Sequence, residues 1–285
     1  MTLFERIDLC DAISFKTNKS GCIRIDCDHS DVPLGSRNLV YKVADLLKND
    51  FGICGGVDIQ IKKRIPVAAG LGGGSSNAAT ALLGLNKLWK LRLQKRQLLL
   101  YANQVGSDVA FFLYGCPWAV GTEKGEKIKK LNIRSKLWHI LVVPRLKIRS
   151  ARIYKNLRWP QINLSTRSKG EGSHSRGIRR RPQEGYTNLL TKAEDNVNIL
   201  TRYLKISNIN RLEQGLINDL EVPILRLYPQ LRNVKQRLKS LDLNRVMISG
   251  SGPSIFGIVS TKQEAELIHS ALAKRFSQVF VVKTL

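Results

Sequence analysis

Periodicity and length make this chain an α+β protein of two domains, each a sheet layered against helices. Strand-type alternation and helix-type spacing take turns in both halves of the sequence. A glycine-rich run, residues 66–76, lies between an alternating strand and an amphipathic helix. With 285 residues, 43% of them hydrophobic, the chain has length for about two domains and apolar content for a core in each.

The elements follow from local pattern. Ile13, Phe15, Ile23 and Ile25 mark an opening β region, and residues 39–47 repeat apolar side chains at helical spacing. Val57, Ile59 and Ile61 alternate with Asp58, Gln60 and Lys62, the pattern of a half-buried strand. After the glycine run, Ala78, Ala81, Leu82, Leu85, Leu88 and Trp89 predict a helix, and residues 93–105 predict another that leads into Gly106-Ser-Asp108. Residues 137–143 read as a buried strand. Residues 165–185, rich in Ser, Gly and Arg, read as a flexible basic insertion, and 189–203 as a helix. Leu231, Val234, Leu238 and Leu241 predict a helix behind Pro229, a first-turn proline. Residues 246–249 and 255–259 predict short strands around the Gly250-Ser-Gly-Pro253 turn, and 280–282 a closing strand. The domains are placed at 1–144 and 145–285.

The glycine run carries chemistry. Pro66, Val67, Ala68, Ala69, Gly70, Leu71, Gly72, Gly73, Gly74, Ser75, Ser76 and Asn77 lead from strand to helix, with cap-forming residues where the helix begins. Glycines there let several backbone N–H groups converge on one anion, and the helix dipole adds to the attraction. A Walker A loop is excluded because no lysine follows Gly74, and a dinucleotide fingerprint because Ser75 stands where its last glycine belongs. A linker would not normally sit between a clean strand and a capped amphipathic helix.

Charge and composition bound the rest. The net charge is +25, and residues 127–181 hold 17 Lys or Arg against Glu171 alone, a local +16. Such a tract suits nucleic acid, but only Trp138, Tyr154 and Trp159 interleave with it. The expectation is a solvated face plus an inserted loop, useful for steering anionic substrates, with nucleic acid not a partner. Cys10, Cys22, Cys27, Cys54 and Cys116 are odd in number and lack Cys-x-x-Cys spacing, so neither a disulfide framework nor a zinc site is indicated and a reducing cytoplasm is expected. No apolar run approaches a membrane span, no signal-peptide core is seen, and the four histidines are scattered.

Residues 66–80 resemble the ATP-binding loop of the GHMP small-molecule kinases. The extended Gly-Leu-Gly-Gly-Gly-Ser-Ser-Asn-Ala-Ala form is similar to the branch acting on 4-diphosphocytidyl-2-C-methyl-D-erythritol. Further along, residues 106–112, 144–154, 218–221 and 247–257 resemble the remaining family segments in order. The resemblance implies a ribosomal-protein-S5-domain-2-like N-terminal domain that binds ATP, a ferredoxin-like C-terminal domain, and a cleft between them. It implies ATP and Mg²⁺ as cofactors, a small-molecule cytidine diphosphate ester as substrate, and a monomer or homodimer. The triple glycine argues against homoserine or mevalonate specificity; a non-catalytic anion- or RNA-binding relative on the same fold is the other reading.

On residues alone, Asp108 is a helix cap or a base; the resemblance implies the base that receives the hydroxyl proton. Ser75 or Ser76 is expected near Mg²⁺. Gly250, Ser251 and Gly252 form a tight turn, which the resemblance brings near the nucleotide or substrate phosphates. Residues 218–221 are expected to be a capped helix end supporting the cleft. Family members start with a Pro-Ala-Lys-hydrophobic-Asn strand and an Asp-Gly-Tyr-His turn, then reach the equivalent of residues 3–9, where this chain starts. Either Met1 is an internal methionine mistaken for a start, the expected case, or the chain is shortened. The resemblance then implies that the lysine assisting transfer and the Tyr-His pair against cytosine stand outside residues 1–285, which would bind ATP but phosphorylate slowly.

Overall fold

In a computed structural model, the structure describes residues 1–123, 127–157, 184–243 and 245–285, with the side chains of 184–194 excepted. The first half runs β1 (Thr2–Glu5), β2 (Ala12–Asn18), β3 (Ile23–Cys27), α1 (Leu39–Asp50), β4 (Gly56–Lys62), α2 (Gly73–Leu88), α3 (Lys95–Val105), α4 (Val109–Leu113), β5 (Trp118–Thr122) and β6 (Lys127–Lys130). The second runs β7 (Trp138–Val142), α5 (Ser150–Lys155), α6 (Glu184–Lys205), a 3₁₀ turn (Ile209–Gln214), α7 (Glu221–Leu227), α8 (Gln230–Lys239), β8 (Val246–Ile248), β9 (Ile255–Val259), α9 (Lys262–Ala273) and β10 (Val279–Lys283).

β4 is the centre of the first sheet, antiparallel to β2 and parallel to β3. Its alternation does what the sequence predicts: Val57, Ile59 and Ile61 are buried against Val43 and Leu47 of α1 and Ala78, Ala81, Leu82 and Leu85 of α2. Small alanines let α2 lie close to the sheet, which sets the height at which its N-terminus emerges. A second sheet, β1-β5-β6, carries Phe4, whose ring stacks on Phe111 of α4 with centroids 4.8 Å apart.

The third sheet has the order β10-β7-β9-β8, all antiparallel, with α8 and α9 packed on it. Numbered within the half, that is 4-1-3-2 with helical crossovers, the expected ferredoxin-like arrangement. One boundary is corrected. β7 lies before the 144/145 division, yet it pairs with β9 and β10, so the division between sheets falls between β6 and β7. An apolar run says that a strand is buried; it does not say which sheet takes it.

Smaller shifts are local. α3 starts at Lys95, two residues later than its apolar pattern, because Gln94 and Gln97 form a reciprocal cap. Pro229 takes the N-cap position of α8, one before the first helical residue, and Leu241 lies past its end. α6 begins at Glu184, inside the predicted insertion; residues 165–183, including Arg179, Arg180 and Arg181, lie outside the described residues.

The halves are clamped. Trp118, Ile133 and Leu137 share a core with Leu200, Leu204, Leu212 and Ile258. Glu5 Oε1 accepts a hydrogen bond from Thr284 Oγ1 (2.6 Å) and lies 2.8 Å from His139 Nε2, while Leu285 N donates to Arg6 O at 3.0 Å. Among the described residues, no helix is long and apolar enough to cross a membrane.

Candidate active site

The phosphate loop is anchored from below by a residue that the sequence reading missed. Asp11, just ahead of β2, accepts hydrogen bonds at Oδ1 from Arg64 N (2.7 Å) and Ile65 N (2.8 Å). Its Oδ2 accepts from Lys63 Nζ (2.8 Å) and Asn77 Nδ2 (2.9 Å), and Lys63 Nζ also donates to Ile65 O. The two side chains of this ion pair are 0% and 6% exposed. Burial pushes the Asp11 carboxyl up, but the bonds from Lys63 and from the Arg64 and Ile65 N–H groups outweigh it and hold the pKa below its ordinary value. One carboxylate thus joins the end of β4, the entry of the loop and the first turn of α2. No local pattern announces it; only the pairing of Ala12 with Lys62 sets Asp11 beside Lys63.

Above this anchor the chain alternates hands, with positive φ at Ala68 (54°), Gly70 (73°) and Gly72 (66°). Gly70 is required by close approach as well: a Cβ there would overlap Ser249 O and stand 2.9 Å from Gly252 O. Ser249 Oγ donates to Gly70 O (2.9 Å) and Ser254 N to Ala69 O (3.2 Å), so the loop and the Gly250-Ser-Gly turn lie back to back. Asn218 holds the turn in place, donating from Nδ2 to Ile248 O (2.9 Å) and Gly250 O (2.8 Å) while Oδ1 accepts from Leu220 N (3.0 Å) ahead of α7. Residues 218–221 therefore sit at a helix start and brace the turn.

The cap of α2 differs from expectation. Gly72, in the left-handed region, is the N-cap and no side chain caps the helix; the first intrahelical bond is Ser76 N to Gly72 O at 2.9 Å. Ser75 and Ser76 are inside the first turn, and Asn77 is buried with its amide turned to Asp11 rather than to a ligand. A serine or asparagine cap would satisfy an orphan N–H; a glycine leaves it free. The N–H groups of Gly73, Gly74 and Ser75 meet no acceptor among the described residues, and the dipole of a 16-residue helix points the same way. Ala69, by contrast, is buried with Leu141 and Val143 and serves packing.

Asp108 occupies the N-cap position of the short α4, but its carboxylate makes no cap bond; Ser107 Oγ is 3.3 Å from its Oδ1. The cap reading that the sequence left open is thereby dropped. The residue is exposed, yet nearby protein displaces part of the water around its carboxylate. The loss of surrounding water raises its pKa above the ordinary value, against a smaller opposing effect of Ser107. Among the described residues no Lys, Arg or His pairs with it.

Contacts tie these elements together. Phe112 of α4 abuts the loop, its Cζ 3.1 Å from where a Cβ at Gly72 would be. Ser150 Oγ at the start of α5 is 2.6 Å from Ser251 Oγ of the turn. Tyr154, at the other end of α5, has its phenol pKa raised by burial and by the charge of Asp108, which sets the two within electrostatic reach. The loop, the turn, α5 and α4 are thus neighbours, with N–H donors at the start of α2 and a carboxylate just ahead of α4.

Comparison with known proteins identifies the family. The description "GHMP kinases N terminal domain" matches residues 38–116, and "GHMP kinases C terminal" matches residues 200–278. The 4-diphosphocytidyl-2-C-methyl-D-erythritol kinase of Shouchella clausii is 35% identical over 281 residues, 99% of this chain and 84% of that protein. The one from Enterococcus faecalis is 32% identical over 285 residues, covering 100% and 89%. The chain belongs to the GHMP kinase family, in its 4-diphosphocytidyl-2-C-methyl-D-erythritol kinase branch.

The crystal structure of a 4-(cytidine 5'-diphospho)-2C-methyl-D-erythritol kinase has a TM-score of 0.73 with this GHMP kinase at 28% identity, covering 99% of this chain and 88% of that one. A homoserine kinase from Cytophaga hutchinsonii (TM-score 0.72, 19% identity, 99% and 88% covered) shares the fold alone. The expected kinase fold, ATP as phosphoryl donor and a small-molecule acceptor hold for the family.

Proposed function

We propose that this GHMP kinase transfers the γ-phosphoryl group of ATP to the 2-hydroxyl of 4-diphosphocytidyl-2-C-methyl-D-erythritol, a step of non-mevalonate isoprenoid precursor synthesis. The observation that carries the reading is three N–H groups at the start of α2 that meet no acceptor among the described residues, together with the uncapped carboxylate of Asp108 ahead of α4, which packs on α2. The substrate follows from the relatives, which align over nearly the whole chain.

In this reading Gly73, Gly74 and Ser75 N–H groups receive phosphate oxygens, and the helix dipole offsets their charge. Asp108 accepts the proton of the attacking hydroxyl as its oxygen bonds to the γ-phosphorus; the bond from that phosphorus to the β,γ-bridging oxygen breaks and ADP leaves. A carboxylate with a raised pKa is a stronger base than an ordinary one. The hydroxyls of Ser75 and Ser76 engage no partner among the described residues, and neutral oxygens beside a phosphate site fit Mg²⁺. When bound, Mg²⁺ neutralises phosphate charge. Among the described residues no cluster of three His, Cys, Asp or Glu suited to a metal is present, so of this chain's groups the Ser75 and Ser76 hydroxyls are the ones that would stand near the ion. In this reading Tyr154, near Asp108, and Ser251, beside Ser150 of α5, would flank the acceptor. The odd number of cysteines, without Cys-x-x-Cys spacing, fits a reducing, cytoplasmic setting in this reading.

The test is ADP release with three acceptors: the cytidyl ester, homoserine and mevalonate. ADP formed with the cytidyl ester alone is expected. Equal or faster release with homoserine or mevalonate overturns the substrate assignment.

A further inference from the structure

Two acid-free basic tracts, far apart in sequence, meet at the end of α4 remote from Asp108. Residues 87–107 hold five Lys or Arg and no Asp or Glu, and residues 127–136 hold another five with none. They meet at Tyr114, just past α4: Lys95 Nζ lies 4.3 Å and Lys130 Nζ 5.8 Å from its ring centroid. Tyr114 is at the opposite end of α4 from Asp108, about 9 Å along the helix axis at 1.5 Å per residue.

The surface around this junction is built for anions. β6 is the outer strand of its sheet, and along it and the segment that follows, Lys129, Lys130, Arg134 and Lys136 are exposed while Leu131, Ile133 and Leu137 turn inward. The two-residue period spaces neighbouring cations along an extended chain by about 6.6 Å where it holds. Among the described residues none of these four, nor Lys95, forms an ion pair. Lys95 and Arg96 also occupy the first turn of α3, where the helix dipole disfavours cations and attracts anions. Burial and the charge of Lys130 lower the Lys95 pKa, as expected of two ammonium groups that share an aromatic ring and lack a counter-ion. A solvated face accounts for each lysine singly. It does not account for two such tracts converging on one aromatic ring.

We propose that this surface, centred on Tyr114, Lys95 and Lys130 and continuing to Arg134 and Lys136, binds single-stranded nucleic acid. A row of cations follows the phosphates, and once phosphates take the ammonium groups, the Tyr114 ring offers a face to an unpaired base. A lipid surface fits less well, because residues 127–137 carry no large exposed apolar side chain and Leu100 is the single one in 87–107, too little to enter a bilayer. This runs against the sequence-based expectation, which treated the charge as a solvated face. It goes beyond the kinase reading and stands apart from it.

The test uses the full 285-residue protein and a labelled oligouridylate about 20 nucleotides long, followed by fluorescence anisotropy between about 50 and 200 mM salt. Lys129→Ala/Lys130→Ala/Arg134→Ala is expected to weaken binding at least tenfold at low salt and to flatten the log–log salt slope by about 2, at about 0.7 per phosphate contact. Tyr114→Leu is expected to weaken binding about fivefold or more with the slope unchanged. Unaltered melting temperature and ATP affinity show that each variant is folded; if one is not, Lys95→Gln/Lys130→Gln is read in its place by the same loss of affinity and slope. Oligouridylate binding by the triple variant as tight as wild type, or none by wild type at low salt, overturns the proposal. Co-sedimentation with phosphatidylglycerol vesicles that the triple variant loses, without RNA binding, assigns the surface to membranes and overturns it as well.

Discussion

Replacing Asp11 by Asn probes how the phosphate loop is held. Asparagine keeps the shape, and its oxygen still accepts from Arg64 N and Ile65 N. Its NH₂ group, however, faces Lys63 Nζ and Asn77 Nδ2, donor against donor, so the bonds of 2.8 and 2.9 Å are lost. Lys63, 6% exposed, is left with a buried positive charge and only Ile65 O. Removing one partner of a buried pair costs about 3–5 kcal/mol. At about 2–4 °C per kcal/mol for chains approaching this length, Tm should fall by roughly 6–20 °C. Replacing both partners, Asp11→Leu/Lys63→Met, removes the stranded charge and should recover at least half of that loss. ATP affinity, measured by calorimetry on folded protein, should fall in Asp11→Asn because Asn77 and the loop entry lose their common anchor. A loss below about 1 kcal/mol, or a double variant less stable than Asp11→Asn, would refute the reasoning.

The same pair gives a signed pH dependence. Because the Asp11 pKa is depressed on folding, its stabilisation is fully present above the unfolded carboxylate value, about 3.9, and is lost as pH falls through the folded one. The gap in Tm between wild type and Asp11→Asn should therefore be wide at neutral pH and close below about pH 4.

Asp108→Asn should lower kcat by about 10² to 10⁴ with ATP affinity retained, and a loss under threefold would remove Asp108 from the base role. In wild type, kcat/KM should rise with pH through a carboxyl pKa above the ordinary range, a limb that Asp108→Asn should abolish. Gly74→Val is the cleaner probe of the cradle: a Cβ there is 3.7 Å from Leu39 Cδ1, ordinary contact, whereas at Gly73 it would press Ile65 at 3.0 Å. Calorimetry should show ATP affinity reduced with Tm little changed; equal affinity would count against a cradle at α2. Asn218→Leu leaves Ile248 O and Gly250 O without their donor and should cost about 1–3 kcal/mol in urea unfolding, and an unchanged midpoint would mean that the turn holds itself.

Short-range pattern made much of this protein legible. Val57, Ile59 and Ile61 each reached the core, α2 carries its apolar face where Ala78, Ala81, Leu82 and Leu85 recur, and the glycine loop lies between them. Side-chain period reports local backbone geometry, and glycine reports a local need for positive φ or close approach, so both are written within a few residues. Chemistry read at single positions was less secure. Asp108 was open between cap and base on residues alone, and in the fold its carboxylate makes no cap bond to α4. Asn77, in the middle of the loop motif, turned inward.

Folding added the partners. Asp11 meets Lys63 across 52 positions, Ser249 meets Gly70 across 179, and β7 joins the second sheet although the sequence division left it in the first half. The meeting of Lys95 and Lys130 at Tyr114 is of the same kind. Each depends on strand register and on the angle at which helices pack, which are set by burying whole faces together. A sequence states which face is apolar; which distant polar atoms that burial brings within hydrogen-bonding reach exists only once the faces have met.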